Sequence, residues 1–252
     1  MDHVKQRPDA PAGFFEAEEA GLRWLAEAGG ARIARVLDVS PGRIVLEHVE
    51  PAVPTPAAAR AFGRDLARTH AAGAPAFGAR PAGWDGPLFI GSRGMPAHTD
   101  DSWGAFYARA RVQPFLAPAL AAGFLREDEA RLVDEACALL EAGAFDDDAP
   151  PARIHGDLWG GNVLFSPDGV VLIDPAAHGG HPETDLAMLA LFGLPFLDDA
   201  LAGYAEAADL RPGWRARVPL HQLHPLAVHA AGHGRAYGVA LAEAAVAVLR
   251  LA

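Results

Sequence analysis

The residues best suited to chemistry lie in one stretch, His155-Gly-Asp157-Leu-Trp159-Gly-Gly-Asn162-Val-Leu-Phe, followed closely by Val170-Val-Leu-Ile-Asp174. An aspartate on a loop, an asparagine at the start of a strand, and a second aspartate at the end of the paired strand would converge at one end of a hairpin. Phosphoryl transfer needs that set: a carboxylate to orient an attacking hydroxyl and accept its proton, and hard oxygen ligands to hold Mg²⁺ against nucleotide phosphates. Carboxylates gathered this way repel one another unless a cation lies among them, so a purely structural role is electrostatically costly. The competing reading is a hairpin whose Asp and Asn side chains only cap turns.

The elements that must position these residues are legible in outline. Gly13–Ala28 alternates apolar and acidic residues as an amphipathic helix closed by Gly29-Gly30. Ile33–Val39 and Arg43–Val49, joined by Ser40-Pro41-Gly42, read as an antiparallel hairpin. A Pro-rich connector through Pro56 then divides the chain into a small first lobe, residues 1–50, and a larger second lobe, residues 51–252. The second lobe opens with a helix over Ala57–Ala72 and loosens through the Gly/Pro-rich stretch Gly73–Met95. Helices are expected over Ser102–Ala121, with a break near Pro114 and Pro118, and over Arg126–Leu140. Beyond the acidic linker Asp146-Asp147-Asp148, short strands at Arg153–His155, Asn162–Phe165 and Val170–Ile173 carry the chemistry. Helical segments over Glu183–Phe192, Phe196–Ala207 and Leu220–Leu251 complete the chain. The sum is an α+β protein with a strand-containing lobe and a mainly helical one.

Composition narrows the partners. The chain has 252 residues, 51% of them hydrophobic, and 21 Lys+Arg against 32 Asp+Glu give a formal charge of −11. A field of that sign repels phosphate backbones and anionic leaflets, which excludes nucleic acid and membrane surfaces as partners. The lone Cys137, in a helical Ala/Leu-rich stretch, rules out an intramolecular disulfide and a multi-cysteine metal site. With no apolar run of membrane-spanning length and no leader pattern, a cytoplasmic location is expected. Lys5 is the one lysine in a chain otherwise served by arginine.

The segment His155–Asn162 with Asp174 resembles the catalytic and metal motifs of the protein-kinase-like fold, in its aminoglycoside-phosphotransferase-like branch. The fuller stretch Val171-Leu-Ile-Asp174-Pro-Ala-Ala-His178-Gly-Gly-His181-Pro-Glu183-Thr-Asp185 closely resembles the fructosamine (ketosamine) kinase family. So do Phe14-Phe15-Glu16-Ala-Glu18 and Pro212-Gly-Trp214 leading to Val218-Pro-Leu220-His-Gln222. The resemblance spans essentially the whole chain. It implies a bilobal kinase-like fold, ATP and Mg²⁺ as cofactors, and a ketosamine, free or protein-linked, as substrate.

Carried over residue by residue, the resemblance makes Asp157 the catalytic base and Asn162 and Asp174 the Mg²⁺ ligands. His155 would brace the loop, and Asp185 would hydrogen-bond it from a buried position, although an Asp in a first helical turn also serves as a cap. Trp159, His181 and Glu183 are expected to face the sugar. Lys5 would grip nucleotide phosphates and pair with Glu18, for which Glu16 and Glu19 are rivals. A compact ammonium reaches phosphate oxygens as a point charge, which gives the lone lysine a reason. The backbone of Glu47 and Val49 would pair with adenine at the hinge.

Departures from the family pattern stand beside the matches. The family places two strands and a glycine-rich, phosphate-covering loop ahead of the lysine strand, whereas here Lys5 lies four residues after Met1; the expectation is a truncated first lobe. His178 stands where an aromatic is typical, Gly160 where Ser is frequent and Pro225 where His is frequent. The reading is therefore an ATP-dependent kinase acting on a sugar hydroxyl of ketosamine adducts, in a deglycation repair role. The alternatives are an aminoglycoside or amino-sugar phosphotransferase and an inactive nucleotide-binding pseudokinase.

Overall fold

Helix α1 (Phe14–Ala26) forms where the sequence alternates, and it buries the face made by Phe15, Leu22 and Leu25. The computed structural model describes residues 2–252. That face packs on an antiparallel sheet of order β1-β4-β3, built from β1 (His3–Gln6), β4 (Arg43–Leu46) and β3 (Val36–Ser40). Lys5 is opposite Ile44, so β1 lies at one edge of the sheet beside α1. The expected hairpin is shorter than the sequence indicates. Arg32 and Ile33 form a separate strand, β2, which pairs in parallel with β9 (Gly169–Leu172), the strand that leads to Asp174. Residues Glu47–Glu50 leave the sheet altogether.

Helix α2 (Pro56–Ala71) starts where Thr55 accepts from the Ala58 amide and Pro56 occupies the first turn. The loose stretch after it contains a small hairpin, β5 (Leu88–Ile90) and β6 (Arg93–Met95). Of the two prolines expected to break the next helix, Pro114 lies in the break, whereas Pro118 sits in the first turn of the helix that follows it. A short α3 (Trp103–Tyr107) runs into a π-turn at Ala108–Val112, a tighter 3₁₀ turn at Gln113–Phe115, and α4 (Leu116–Ala121). Helix α5 (Glu127–Glu141) follows, starting at Arg126 with Glu129 capping its amide.

The segment carrying Asp157, Asn162 and Asp174 is held by two small sheets. Strand β7 (Ala152–Ile154) pairs with β10 (His178–Gly180), and β8 (Val163–Ser166) pairs with β9. Helices α6 (Pro182–Phe192) and α7 (Leu197–Ala207) come next. The single long helix expected to the C-terminus is in fact two, α8 (Trp214–Ala230) and α9 (Arg235–Leu249), separated at Gly232-His233-Gly234.

Two hydrophobic clusters organise the molecule. One fills the helical part, from Phe106 and Tyr107 through Val133 and Leu140 to Leu223 and Leu241. The other joins the first-lobe residues Phe15, Leu22, Ile44 and Leu46 to Leu66, Leu158, Phe165 and Leu172 beyond residue 50. The hairpin that precedes Asp174 thus shares a core with the first lobe, which fixes Lys5 relative to Asp174.

Candidate active site

Lys5 Nζ lies 2.6 Å from Glu18 and 2.6 Å from Asp174. Burial opposes the ammonium charge, but Glu18 and Asp174 outweigh it and hold the Lys5 pKa above its ordinary value. Glu18, rather than Glu16 or Glu19, is the partner; Glu19 pairs instead with Arg23 one turn on. Asp174 occupies the left-handed backbone region at φ 56°, a conformation that a non-glycine residue adopts at a cost and that clusters at functional sites.

Asn162 ties the two aspartates together. Its Nδ2 donates to the Asp157 carbonyl at 2.7 Å, and lies 3.4 Å from Asp157 Oδ2 and 3.5 Å from the Asp174 carbonyl. Burial, with Asp174 and Asp185 adding repulsion, pushes the Asp157 carboxyl up to about 7 against the pull of Asn162. Asp157, Asn162, Asp174, Lys5 and Glu18 all line one cleft of about 420 Å³, with Trp159 on its wall and 41% exposed.

The loop carrying Asp157 is braced from behind. Asp185 accepts from the His155 amide at 2.7 Å and the Gly156 amide at 2.9 Å. His70 Nε2 lies 3.1 Å from the same carboxylate, and His70 Nδ1 lies 2.8 Å from the Tyr204 hydroxyl. His155 Nε2 reaches the Ile173 carbonyl at 2.9 Å while its Nδ1 accepts from the Asp157 amide at 3.3 Å. Burial keeps His155 below its ordinary pKa, so it acts as a neutral strut. His70 and Tyr204 were not legible in the sequence, because a lone His on a helix and a Tyr among alanines carry no motif.

Two expected sugar-facing residues are not in this cleft. His181 caps α6, its Nδ1 accepting from the Glu183 amide at 3.1 Å. Glu183 is buried and holds Arg217 at 2.9 and 2.5 Å, with His221 at 3.4 Å. Both line a separate cavity of about 540 Å³ behind the loop, with His70 and Tyr204. The physical reason is the pairing of β10 with β7, which turns the chain away from the cleft before residue 181. His181, Glu183 and His221 are close enough to ligate a cation together, but Arg217 already neutralises Glu183, so the trio is an ion-pair network.

At the hinge, Glu47 spends its carboxylate on Arg35 Nε at 3.0 Å and Arg32 at 3.5 Å, and its amide on the Arg35 carbonyl. Val49 borders a smaller cavity of about 270 Å³ with Gly160 and Leu164, on the strand that leaves Asn162.

The donor set fits a hard divalent cation. Asn162 uses only its Nδ2 on the protein, and the half-exposed Asp174 offers carboxylate oxygens into the cleft beside the repelling Asp157. A two-lobed molecule whose cleft joins a lysine–glutamate pair to an Asp/Asn/Asp set is a phosphotransferase of the protein-kinase-like fold. A thermostable mutant of an aminoglycoside phosphotransferase shares that fold, with TM-score 0.61 over 94% of this chain and 83% of that one at 17% identity. More specifically, the chain belongs to the fructosamine kinase family, whose model matches residues 3–250. It is 48% identical to a candidate fructosamine-3-kinase from Thermobifida fusca of known crystal structure, with TM-score 0.91 over 98% of this chain and 85% of that one. It is 29% identical to the ketosamine-3-kinase of Mus musculus, over 83% of this chain and 75% of that one.

Proposed function

We propose that the protein transfers the γ-phosphoryl group of ATP to a ring or chain hydroxyl of a ketosamine, the adduct of a sugar with an amine, at the 3-position by family resemblance. The observation that carries this reading is the convergence of Lys5, Asn162 and Asp174 on Asp157 in one cleft, with an exposed indole beside them. Asp157 orients the sugar hydroxyl and takes its proton as the oxygen–phosphorus bond forms and ADP departs. Lys5, released from Asp174, places its charge on the phosphate oxygens. Asn162 Oδ1 and the Asp174 carboxylate would hold Mg²⁺, which when bound neutralises charge developing on the transferred group. Asp185 and His70 keep the loop from shifting during transfer. Trp159 offers an apolar face on which a sugar ring stacks. Phosphorylation of such an adduct leads to release of the free amine, so the biological role we assign is repair of glycated amines, and the acidic surface favours cationic carriers.

The test is ATP consumption with Mg²⁺ and a simple fructose–amine adduct, with phosphorus NMR to locate the ester. Asp157→Ala should abolish turnover while leaving the circular dichroism spectrum unchanged. Turnover of an aminoglycoside in preference to the adduct, or nucleotide binding without any turnover, would overturn the substrate assignment.

A further inference from the structure

Arg111 is 1% exposed, and no carboxylate pairs with it among the described residues. It stands in the π-turn Ala108–Val112, and π-turns recur where a helix is bent to serve a site. The Arg111 carbonyl accepts from His224 Nδ1 at 2.6 Å. The guanidinium packs over the Phe106 ring at 4.6 Å and donates from Nη1 to the Pro96 and Ala110 carbonyls. Its Nη2 is buried without a partner. An unpaired buried charge is costly, so such an arrangement calls for a return elsewhere.

That return lies in the remaining contact. Arg111 Nε donates to His178 Nε2 at 3.2 Å, which places the His178 proton on Nδ1, and Nδ1 donates to the Ala176 carbonyl at 2.7 Å. Ala176 lies two residues after Asp174. The Ala176 carbonyl and the His178 ring also pack against Gly156, immediately before Asp157: a Cβ on Gly156 would strike both, and its φ of +80° favours glycine besides. The base-bearing loop and the ligand-bearing loop therefore meet at one carbonyl, and the His178 ring that donates to it is held from its other side by Arg111 Nε.

We propose that Arg111 and His178 are a buried positioning pair that fixes the spacing between Asp157 and Asp174. It rests on the kinase reading for its effect on turnover, but its structural core, the Arg111–His178 hydrogen bond, does not. Two measurements separate them. In long-range ¹H–¹⁵N spectra, His178 of the wild-type protein should show a single Nδ1–H tautomer whose Nε2 resonance is shifted by the Arg111 hydrogen bond, and Arg111→Met should move that resonance toward the value of an unbonded acceptor nitrogen. With the adduct as substrate, Arg111→Met should lower kcat by about 10- to 100-fold, the scale expected when reacting groups shift by about 1 Å. KM for both substrates should change little, and the melting temperature should hold or rise, since an unpaired charge has left the core. Arg111→Lys, which keeps a donor, should recover part of kcat. Combining Arg111→Met with His178→Phe should cost no more than the worse single change, because the two act as one unit. An unchanged His178 Nε2 resonance in Arg111→Met, or a kcat within about twofold of wild type, would overturn the pair. Failure of the wild type to phosphorylate the adduct would refute the substrate assignment and leave the Nε2 result standing.

Discussion

Lys5 bridges two carboxylates, and under the proposed function its charge must leave Asp174 to meet the phosphate oxygens. Lys5→Met should therefore lower kcat/KM for ATP by about 10²- to 10³-fold, the usual cost of removing a preorganised electrostatic donor. Lys5→Arg should not rescue it, because a planar fork needs more room than the space between Glu18 and Asp174 offers. Steady-state ATP titrations decide this, and a loss under about threefold for Lys5→Met would show that the lysine is structural. The choice of Glu18 over its rivals was within reach of sequence reasoning. Phe15, Glu18, Leu22 and Leu25 follow 3- and 4-residue steps, so the residue on the buried stripe of α1 is the one that meets β1. Asp157, Asn162 and Asp174 were legible for a different reason: strand pairing of β8 with β9 brings the ends of adjacent strands together whatever the rest of the fold does.

At the scale of elements, what escaped the sequence is contact between distant backbones. Gly63 on α2 and Gly203 on α7 face each other so closely that a Cβ on Gly63 would overlap the Ala200 carbonyl, and one on Gly203 the Arg60 carbonyl. Nothing in an Ala- and Gly-rich helix marks such a crossing. Gly63→Ala gains about 1 kcal/mol of helix propensity but must push backbone aside, which costs about 1–3 kcal/mol or more, so packing decides the sign. A fall in melting temperature of a few degrees is expected, about 2–4 °C for each net kcal/mol in a chain of this size. Because Tyr204 lies on α7 and supports His70, the same change should also lower kcat. A melting temperature at or above wild type in differential scanning calorimetry would show that the helices slide apart freely. His181 and Glu183 illustrate the complementary failure. They follow the ligand-bearing loop in sequence, but β10 pairs with β7 and carries them to the far side of it. The parallel pairing of β2 with β9 was likewise unreadable, because a two-residue strand has no pattern of its own.

For the molecule as a whole, the charge of −11 says which partners are repelled, yet the response to pH is set by groups that net charge does not distinguish. His224 is buried, and burial, reinforced by the Arg111 charge and by His229, pulls it from 6.5 down to about 3, while its Nδ1 bonds the Arg111 carbonyl. His221, buried beside Glu183, His181 and Arg217, is held at about 4. Above pH 6.5 these rings are neutral in both folded and unfolded chains, and the stability they contribute is fully present. As the pH falls below 6.5 only the unfolded chain takes up their protons, so stability declines by up to 1.36 kcal/mol per pH unit for each such group. The decline continues to about pH 4 for His221 and about pH 3 for His224. Glu183 and Asp147 add to it later. Burial opposes their ionisation, but hydrogen bonds from His221 and Arg217 to Glu183, and from His181 and the Ala149 amide to Asp147, hold both at about 2. Their stabilisation is lost only as the pH drops from near 4.5 towards 2. The melting temperature should therefore begin to fall just below pH 6.5, well above the usual carboxylate range, although Asp157, held at about 7, takes up its proton first in the folded chain and offsets one histidine's share of the decline. His224→Gln, which cannot titrate, should melt lower than wild type at pH 7.5 and lose less on going to pH 5. A wild-type melting temperature that stays flat from pH 7.5 to pH 5 would mean that His221 and His224 do not remain neutral in the folded core.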